Sequence, residues 1–183
     1  WCMRDLAIYA PSAARFYSRV KSARGGGGAE LQTILLARAL AARGLSVAHI
    51  VYPVDDPAPL EPPAPAVVER GPPSGGHRLH PLREPANIYP ALSKADARVV
   101  VVRGSGGYVV PAAAWCTLHR RAFVFAASNE LDFDLDRPDR RRLTLSLYGR
   151  AVRRARRLIV QTEGQAELAR EVFPALARSA ARR

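Results

Sequence analysis

Apolar, β-branched runs alternate with helix-period stretches along this chain, and that alternation limits its fold more than any other feature. Asp5–Ala10 is an apolar run closed by Pro11, which predicts a first strand. From Ala29 to Arg43, Leu31, Ile34, Leu35, Ala39 and Leu40 recur at helical spacing, and Gly44 supplies the stop. Leu45–Tyr52 is a second apolar run, closed by Pro53. Strand, glycine-rich turn, helix, glycine and strand in this order predict a βαβ unit.

The pattern continues after an interruption. Residues 53–90 hold most of the 15 prolines and read as an irregular surface segment, with one short strand at Ala66–Glu69. A short helix is expected at Ile88–Ala95 and a strand buried on both faces at Arg98–Val102. Val109–Leu118 reads as a helix, Ala122–Ala127 as a buried strand and Asp139–Arg156 as a helix. Leu158–Gln161 is the last strand, after which Thr162 caps a helix whose first turn holds Glu163. Five or six buried strands separated mostly by helices predict a doubly wound, Rossmann-like α/β domain with a mostly parallel sheet. Ligands of such sheets bind at the carboxyl ends of the strands, here after Ala10, Tyr52, Val102, Ala127 and Gln161.

Length and composition narrow the class further. The 183 residues suit one domain, and 48% hydrophobic residues suffice for a core. No stretch approaches the roughly 20 apolar residues that span a bilayer, and Arg4 and Asp5 break the apolar start that a leader needs. Cys2 and Cys116 cannot form a disulfide scaffold, no Cys/His group has zinc spacing, and no metal site is expected. A reduced, cytoplasmic setting is the expectation. The formal net charge is +12, and since only Lys21 and Lys94 are lysines, 26 of the 28 cations are arginines. An arginine- and alanine-rich coding bias accounts for that excess as well as an anionic partner does. The chain opens on Trp1 and trails off in Ala and Arg, so a fragment is expected.

Gly25, Gly26, Gly27 and Gly28 precede the first helix. Glycines admit close backbone approach, and a helix N-terminus offers free N–H groups to an anion. On physical grounds a ligand loop and a plain helix entry fit equally well. The dinucleotide fingerprint fails because Glu30 occupies its third glycine position and residues 11–24 intervene after the strand. A P-loop fails because no Gly-Lys-Ser/Thr follows. A second cluster, Gly104-Ser105-Gly106-Gly107, fails the fingerprint because position 109 is Val. A nucleotide-dependent oxidoreductase is thereby disfavoured.

Gly27-Gly28-Ala29-Glu30-Leu31-Gln32, the helix running through Leu35–Gly44, and the strand that follows resemble the amino-terminal domain of family-4-type retaining glycosyltransferases of the GT-B fold. Arg150–Gln165 is similar to the same family's strand and helix cap, and Arg98–Gly106 and Arg120–Ser128 sit where it keeps its fourth and fifth strands. The resemblance implies half of a two-domain architecture: residues 1–183 as the acceptor-side domain, with the carboxyl-terminal donor domain absent. It implies transfer of a sugar from a nucleotide-sugar to an acceptor hydroxyl with retention, the nucleotide-sugar being a co-substrate, and no metal or other cofactor. The partners it implies are that donor and a glycan or lipid-linked acceptor. Backbone N–H groups and cations would stabilise charge on the leaving diphosphate, with Gly27 and Gly28 close to it and Gly25 and Gly26 giving slack. The fragment alone is expected to be inactive, and its catalytic residues are not identified. Where many members carry a His after the fifth strand, this chain has Ser128-Asn129-Glu130. These residues are candidates for sugar or acceptor contacts, and the His role does not carry over. His49, His77, His80 and His119 read as structural or solvated.

Arginines crowd positions 137–157, interleaved with Leu143, Leu145, Leu147, Tyr148 and Val152, which predict an apolar side. A core helix with a solvated charged face is one reading. Another is peripheral contact of Arg140, Arg141, Arg153 and Arg154 with anionic headgroups on the inner face of a membrane, at about 1 kcal/mol per cation. The rival to an enzyme domain is a non-catalytic basic α/β module binding nucleic acid or an anionic membrane. Nucleic acid is disfavoured because no recognition helix, RNA motif or zinc finger is visible.

Overall fold

The computed structural model describes residues 3–18, 28–71, 83–136 and 142–180. Among them six strands form one sheet, β1 Arg4–Tyr9, β2 Val47–Val51, β3 Ala66–Glu69, β4 Ala97–Arg103, β5 Ala122–Ala126 and β6 Arg157–Ile159. Their order is β3-β2-β1-β4-β5-β6, the order of a doubly wound Rossmann-like sheet. The helices are α1 Gly28–Ala42, α2 Arg83–Ala95, α3 Val109–Leu118, α4 Arg142–Arg153, α5 Glu163–Val172 and α6 Pro174–Ala180, with 3-10 turns at Pro11–Phe16 and Glu130–Phe133. The chain divides into two compact units, Trp1–Val100 and Val101–Arg183, the division falling within β4.

In the first unit β2 runs parallel to both neighbours, Leu6 facing Val47 and Ala48 facing Ala66. All five β2 residues are buried, as a parallel strand covered on both faces requires. α1 ends where the sequence places its stop. Gly44 adopts φ +84, its N–H donates to the Ala41 carbonyl at 2.9 Å, and the Leu45 N–H donates to the Leu40 carbonyl at 3.2 Å. These two bonds are the Schellman closure, and the left-handed φ is why glycine stands there. β3 spans the residues expected of it.

The segment 53–90 is more regular than its prolines suggest, since α2 begins at Arg83. Pro85 falls in the first turn, where no intrahelical donor is needed, and Pro90 stands at an exposed position within the helix.

In the second unit β5 and β6 are parallel, Phe125 facing Leu158. α3 covers the expected residues and α4 is shorter than expected, residues 139–141 lying outside the described segments. Two expectations of burial are corrected. In β4 only Ala97 and Val100–Val102 are fully buried while Arg98 is exposed, and β6 at the sheet's end leaves Ile159 exposed. An end strand has one neighbour, so part of its surface stays open. α4 buries Leu145, Tyr148, Gly149, Ala151 and Val152, whereas Leu143 is 71% and Leu147 42% exposed. Leu145, Tyr148 and Val152 follow one i, i+3, i+7 stripe; Leu143 and Leu147 begin another on the opposite face.

Candidate functional site

The carboxyl ends of the second unit's strands are built around one buried acid. β4 runs into Gly104-Ser105 and β5 into Ala127-Ser128-Asn129 before the turn at Glu130–Phe133 places Asp132 beneath both loops. Asp132 is 1% exposed. One of its carboxylate oxygens accepts the Ser105 N–H at 2.9 Å. The other accepts the Ser128 N–H at 2.6 Å, the Ser128 hydroxyl at 3.0 Å and the Asn129 N–H at 3.3 Å. A buried carboxylate is stable only when hydrogen-bonded so fully. Its backbone carbonyl accepts the Tyr148 hydroxyl at 2.8 Å, which ties the turn to α4.

The glycines beside it are steric necessities. Gly104 has φ +76, and a Cβ there would stand 3.1 Å from Ser128 Oγ. A Cβ on Gly106 would overlap the Tyr108 ring, whose hydroxyl donates to the Arg103 carbonyl at 2.8 Å. The cluster Gly104–Gly107 is therefore a tight strand-to-helix turn.

At the end of β6, Gln161 donates its side-chain amide to the Ala127 carbonyl at 3.0 Å. Buried Gln165 accepts the Gln161 N–H at 2.9 Å. Thr162 Oγ1 accepts the Gln165 N–H at 3.2 Å, so the expected cap of α5 is present. Glu130 lies over that first turn, with Oε1 3.6 Å from where a Gly164 Cβ would be. A carboxylate is favoured there by the free N–H groups and the helix dipole.

Of the expected contact residues, then, Ser128 is half-buried and turned to Asp132, while Asn129 and Glu130 are exposed at the strand ends. Their side chains can donate to and accept from the hydroxyls of a sugar, on a backbone fixed from below. Of the glycine loop, Gly25, Gly26 and Gly27 lie outside the described residues; Gly28 opens α1, exposed and with open space where a Cβ would be. Glu30 in the first turn of α1 pairs with Arg15 at 3.5 Å.

Arg140 and Arg141 also lie outside the described residues. Arg154 is exposed. Arg153 has its guanidinium 5.7 Å from the centre of the Phe173 ring, so it packs within the unit and is not simply a free cation. His77 and His80 are outside the described residues, and His119 stacks on Trp115 with ring centres 4.3 Å apart. His49 is fully buried in β2, its Nδ1 2.6 Å from the Tyr17 hydroxyl. Burial pushes His49 down to about 4 and the Tyr17 phenol up to about 12. Cys116 is fully buried, and burial likewise raises its thiol to about 12, which disfavours the reactive thiolate.

The first unit holds a feature that the sequence did not single out. Arg70 follows β3 and is buried, its Nη1 bonded to the Tyr9 hydroxyl at the end of β1. The same nitrogen lies 3.3 Å from Glu84 Oε2 in the first turn of α2. Nε donates to the Gly71 carbonyl at 3.0 Å, and the guanidinium carbon stands 5.1 Å from the centre of the Tyr52 ring.

Residues 27–180 match the glycosyl transferase 4-like domain. The chain belongs to that family. No curated protein matches it. Among solved structures it is similar to a protein named as a UDP-N-acetylglucosamine 2-epimerase from Listeria monocytogenes, with a TM-score of 0.57 and 12% identity over 96% of this chain and 44% of that one. A second is UDP-GlcNAc 2-epimerase from Methanocaldococcus jannaschii, with a TM-score of 0.48 and 16% identity over 92% of this chain and 43% of that one. The chain thus spans less than half the length of either. The glycosyl transferase 4-like domain here has the Rossmann-like architecture of a GT-B half. Among the described residues, no helix is long and apolar enough to cross a membrane.

Proposed function

We propose that this chain is the acceptor-side, amino-terminal domain of a glycosyltransferase that moves a sugar from a nucleotide-sugar to an acceptor hydroxyl with retention. The observation that carries the reading is the Asp132-centred strand end, which presents Asn129 and Glu130 on a fixed backbone. Strand carboxyl ends are where ligands of this architecture bind, and a glycosyl transferase 4-like domain needs polar groups there to orient a hydroxyl. A second domain would grip the donor, and residues 1–183 alone would transfer nothing. Gly27 and Gly28 would approach the donor phosphates with their N–H groups, as the α1 entry favours. The test is sugar transfer by the full-length protein across a panel of nucleotide-sugars and acceptors. Acceptor-dependent nucleotide release is expected, and its absence from the whole panel overturns the reading.

The lipid-linked form of the acceptor has its own support. Leu143 and Leu147 are exposed on α4 beside Arg142, Arg150 and Arg154. Apolar side chains among arginines suit the headgroup region of an anionic bilayer. A cytoplasmic protein would then sit on the inner face of the membrane. Co-sedimentation with phosphatidylglycerol vesicles, retained at low salt and lost in Leu143→Ser/Leu147→Ser, supports this contact. Equal co-sedimentation of the variant or none with either protein refutes it.

A further inference from the structure

Arg70 is a buried cation with one donor edge unused. Its side chain is 1% exposed. Nε and Nη1 are engaged by Gly71, Tyr9 and Glu84, yet buried Nη2 has no hydrogen-bond acceptor. An unsatisfied buried donor costs on the order of 1–3 kcal/mol, more when charged. Glu84 does not resolve this, because it meets only Nη1 and at 3.3 Å. A guanidinium is built for two parallel bonds to a carboxylate or phosphate. Here the fork is half-filled.

Arg70 stands where three strands of the first unit end. Tyr9 is the last residue of β1, Tyr52 follows β2 and Arg70 follows β3, so all three stand at the carboxyl ends of their strands. The Arg70 N–H donates to the Val51 carbonyl at 2.8 Å, fixing its backbone to β2. Tyr9 and Tyr52 lie against its guanidinium, with ring centres 5.9 and 5.1 Å from Cζ. Gly71 packs so closely on α2 that a Cβ would fall 2.5 Å from Asn87 Oδ1. The amino-terminal part of α2 is thus held against the strand end.

We propose that Arg70 anchors an anion subsite that takes a ligand group with two acceptor oxygens, a phosphate or a carboxylate, on its Nη2 edge. Resting on the acceptor-side reading above, this makes the acceptor an anionic molecule whose charged group is held in the first unit. Tyr52, half-buried, would flank the bound group. Nη2 is buried, so the ligand group would reach the guanidinium by displacing Glu84 from it.

The test is titration of the full-length protein with inorganic phosphate and, separately, acetate at constant ionic strength, without sugar donor. Thermal stability and the Arg70 side-chain nitrogen resonances are followed. A saturable rise in melting temperature with a shift of those resonances is expected for one of the two anions. Saturation by phosphate alone assigns a phosphate on the ligand, and saturation by acetate alone a carboxylate. Arg70→Lys keeps the charge but loses the fork, and should weaken binding tenfold or more. Should that variant unfold, Glu84→Gln decides: removing the competing carboxylate should tighten anion binding several-fold. No saturable response of the wild type to either anion overturns the proposal. So does a response unchanged in both Glu84→Gln and a folded Arg70→Lys. Because no sugar is transferred in this titration, its failure leaves the glycosyltransferase reading standing. Failure of sugar transfer likewise leaves the anion site to be judged by the titration.

Discussion

At the scale of single residues, buried Asp132 ties together two strand ends of the second unit. It binds the loops after β4 and β5 through the N–H groups of Ser105, Ser128 and Asn129. Asp132→Ala would leave those donors without their acceptor, and a loss of about 3 kcal/mol in urea unfolding is expected. A loss below about 1 kcal/mol would mean that the loops hold without it. The sequence hides this role. Asp132, Asp134 and Asp136 alternate along one short stretch, and nothing local distinguishes the buried member. Arg70 was hidden the same way, at the edge of a proline-rich stretch that looks featureless. The place of Ser128, Asn129 and Glu130 at a strand end was legible because a strand end is itself a sequence signal.

His49 gives a second residue-scale expectation. Buried in β2 beside Tyr17, it is lowered to about 4 by burial against an ordinary value of 6.5. The unfolded chain therefore binds a proton in the window between those values while the folded chain does not. Stability from the neutral imidazole is complete above pH 6.5 and is lost as pH falls toward 4. Between pH 7 and pH 5 the loss from this group is about 2 kcal/mol. Chemical denaturation at the two pH values checks it against Tyr17→Phe/His49→Leu, which should show a smaller drop. An equal drop in both proteins removes His49 as the cause.

At the scale of elements, the ends of helices were readable wherever a local rule fixed them. Gly44 and Thr162 act as the sequence predicts because a left-handed φ and a side-chain acceptor are local requirements. α3 ends against the usual preference. The Arg120 N–H donates to the Thr117 carbonyl at 3.3 Å and the Arg121 N–H to the Cys116 carbonyl at 2.8 Å, with Arg120 at φ +55. This is the same closure that Gly44 makes, but with a Cβ in the left-handed region. Arg120→Gly is expected to raise stability by about 1 kcal/mol, read as a higher melting temperature. No gain, or a loss, would contradict a backbone cost at that position. The face of α4 was harder to read, since two i, i+4 stripes of leucines and arginines interleave and only packing chooses between them. Leu145 and Val152 went inward; Leu143 and Leu147 did not.

At the scale of the whole molecule, the alternation of strand and helix sufficed to predict a doubly wound sheet, because parallel strands need crossover helices and burial on both faces. What it could not reveal is which side chains the topology gathers, since Asp132 and Ser105 stand 27 residues apart. The +12 charge, conspicuous in the composition, identifies no partner by itself. One arginine is buried at a strand end and another stacks on Phe173, so the cations do different work in different places. Sugar transfer by the full-length protein tests the central claim most directly, followed by the anomeric configuration of the product and the acceptor KM of Asn129→Ala/Glu130→Ala. Retention of the donor's configuration is expected, with an acceptor KM raised tenfold or more and little change in melting temperature. An inverted product, or an acceptor KM unchanged in the double variant, would contradict it.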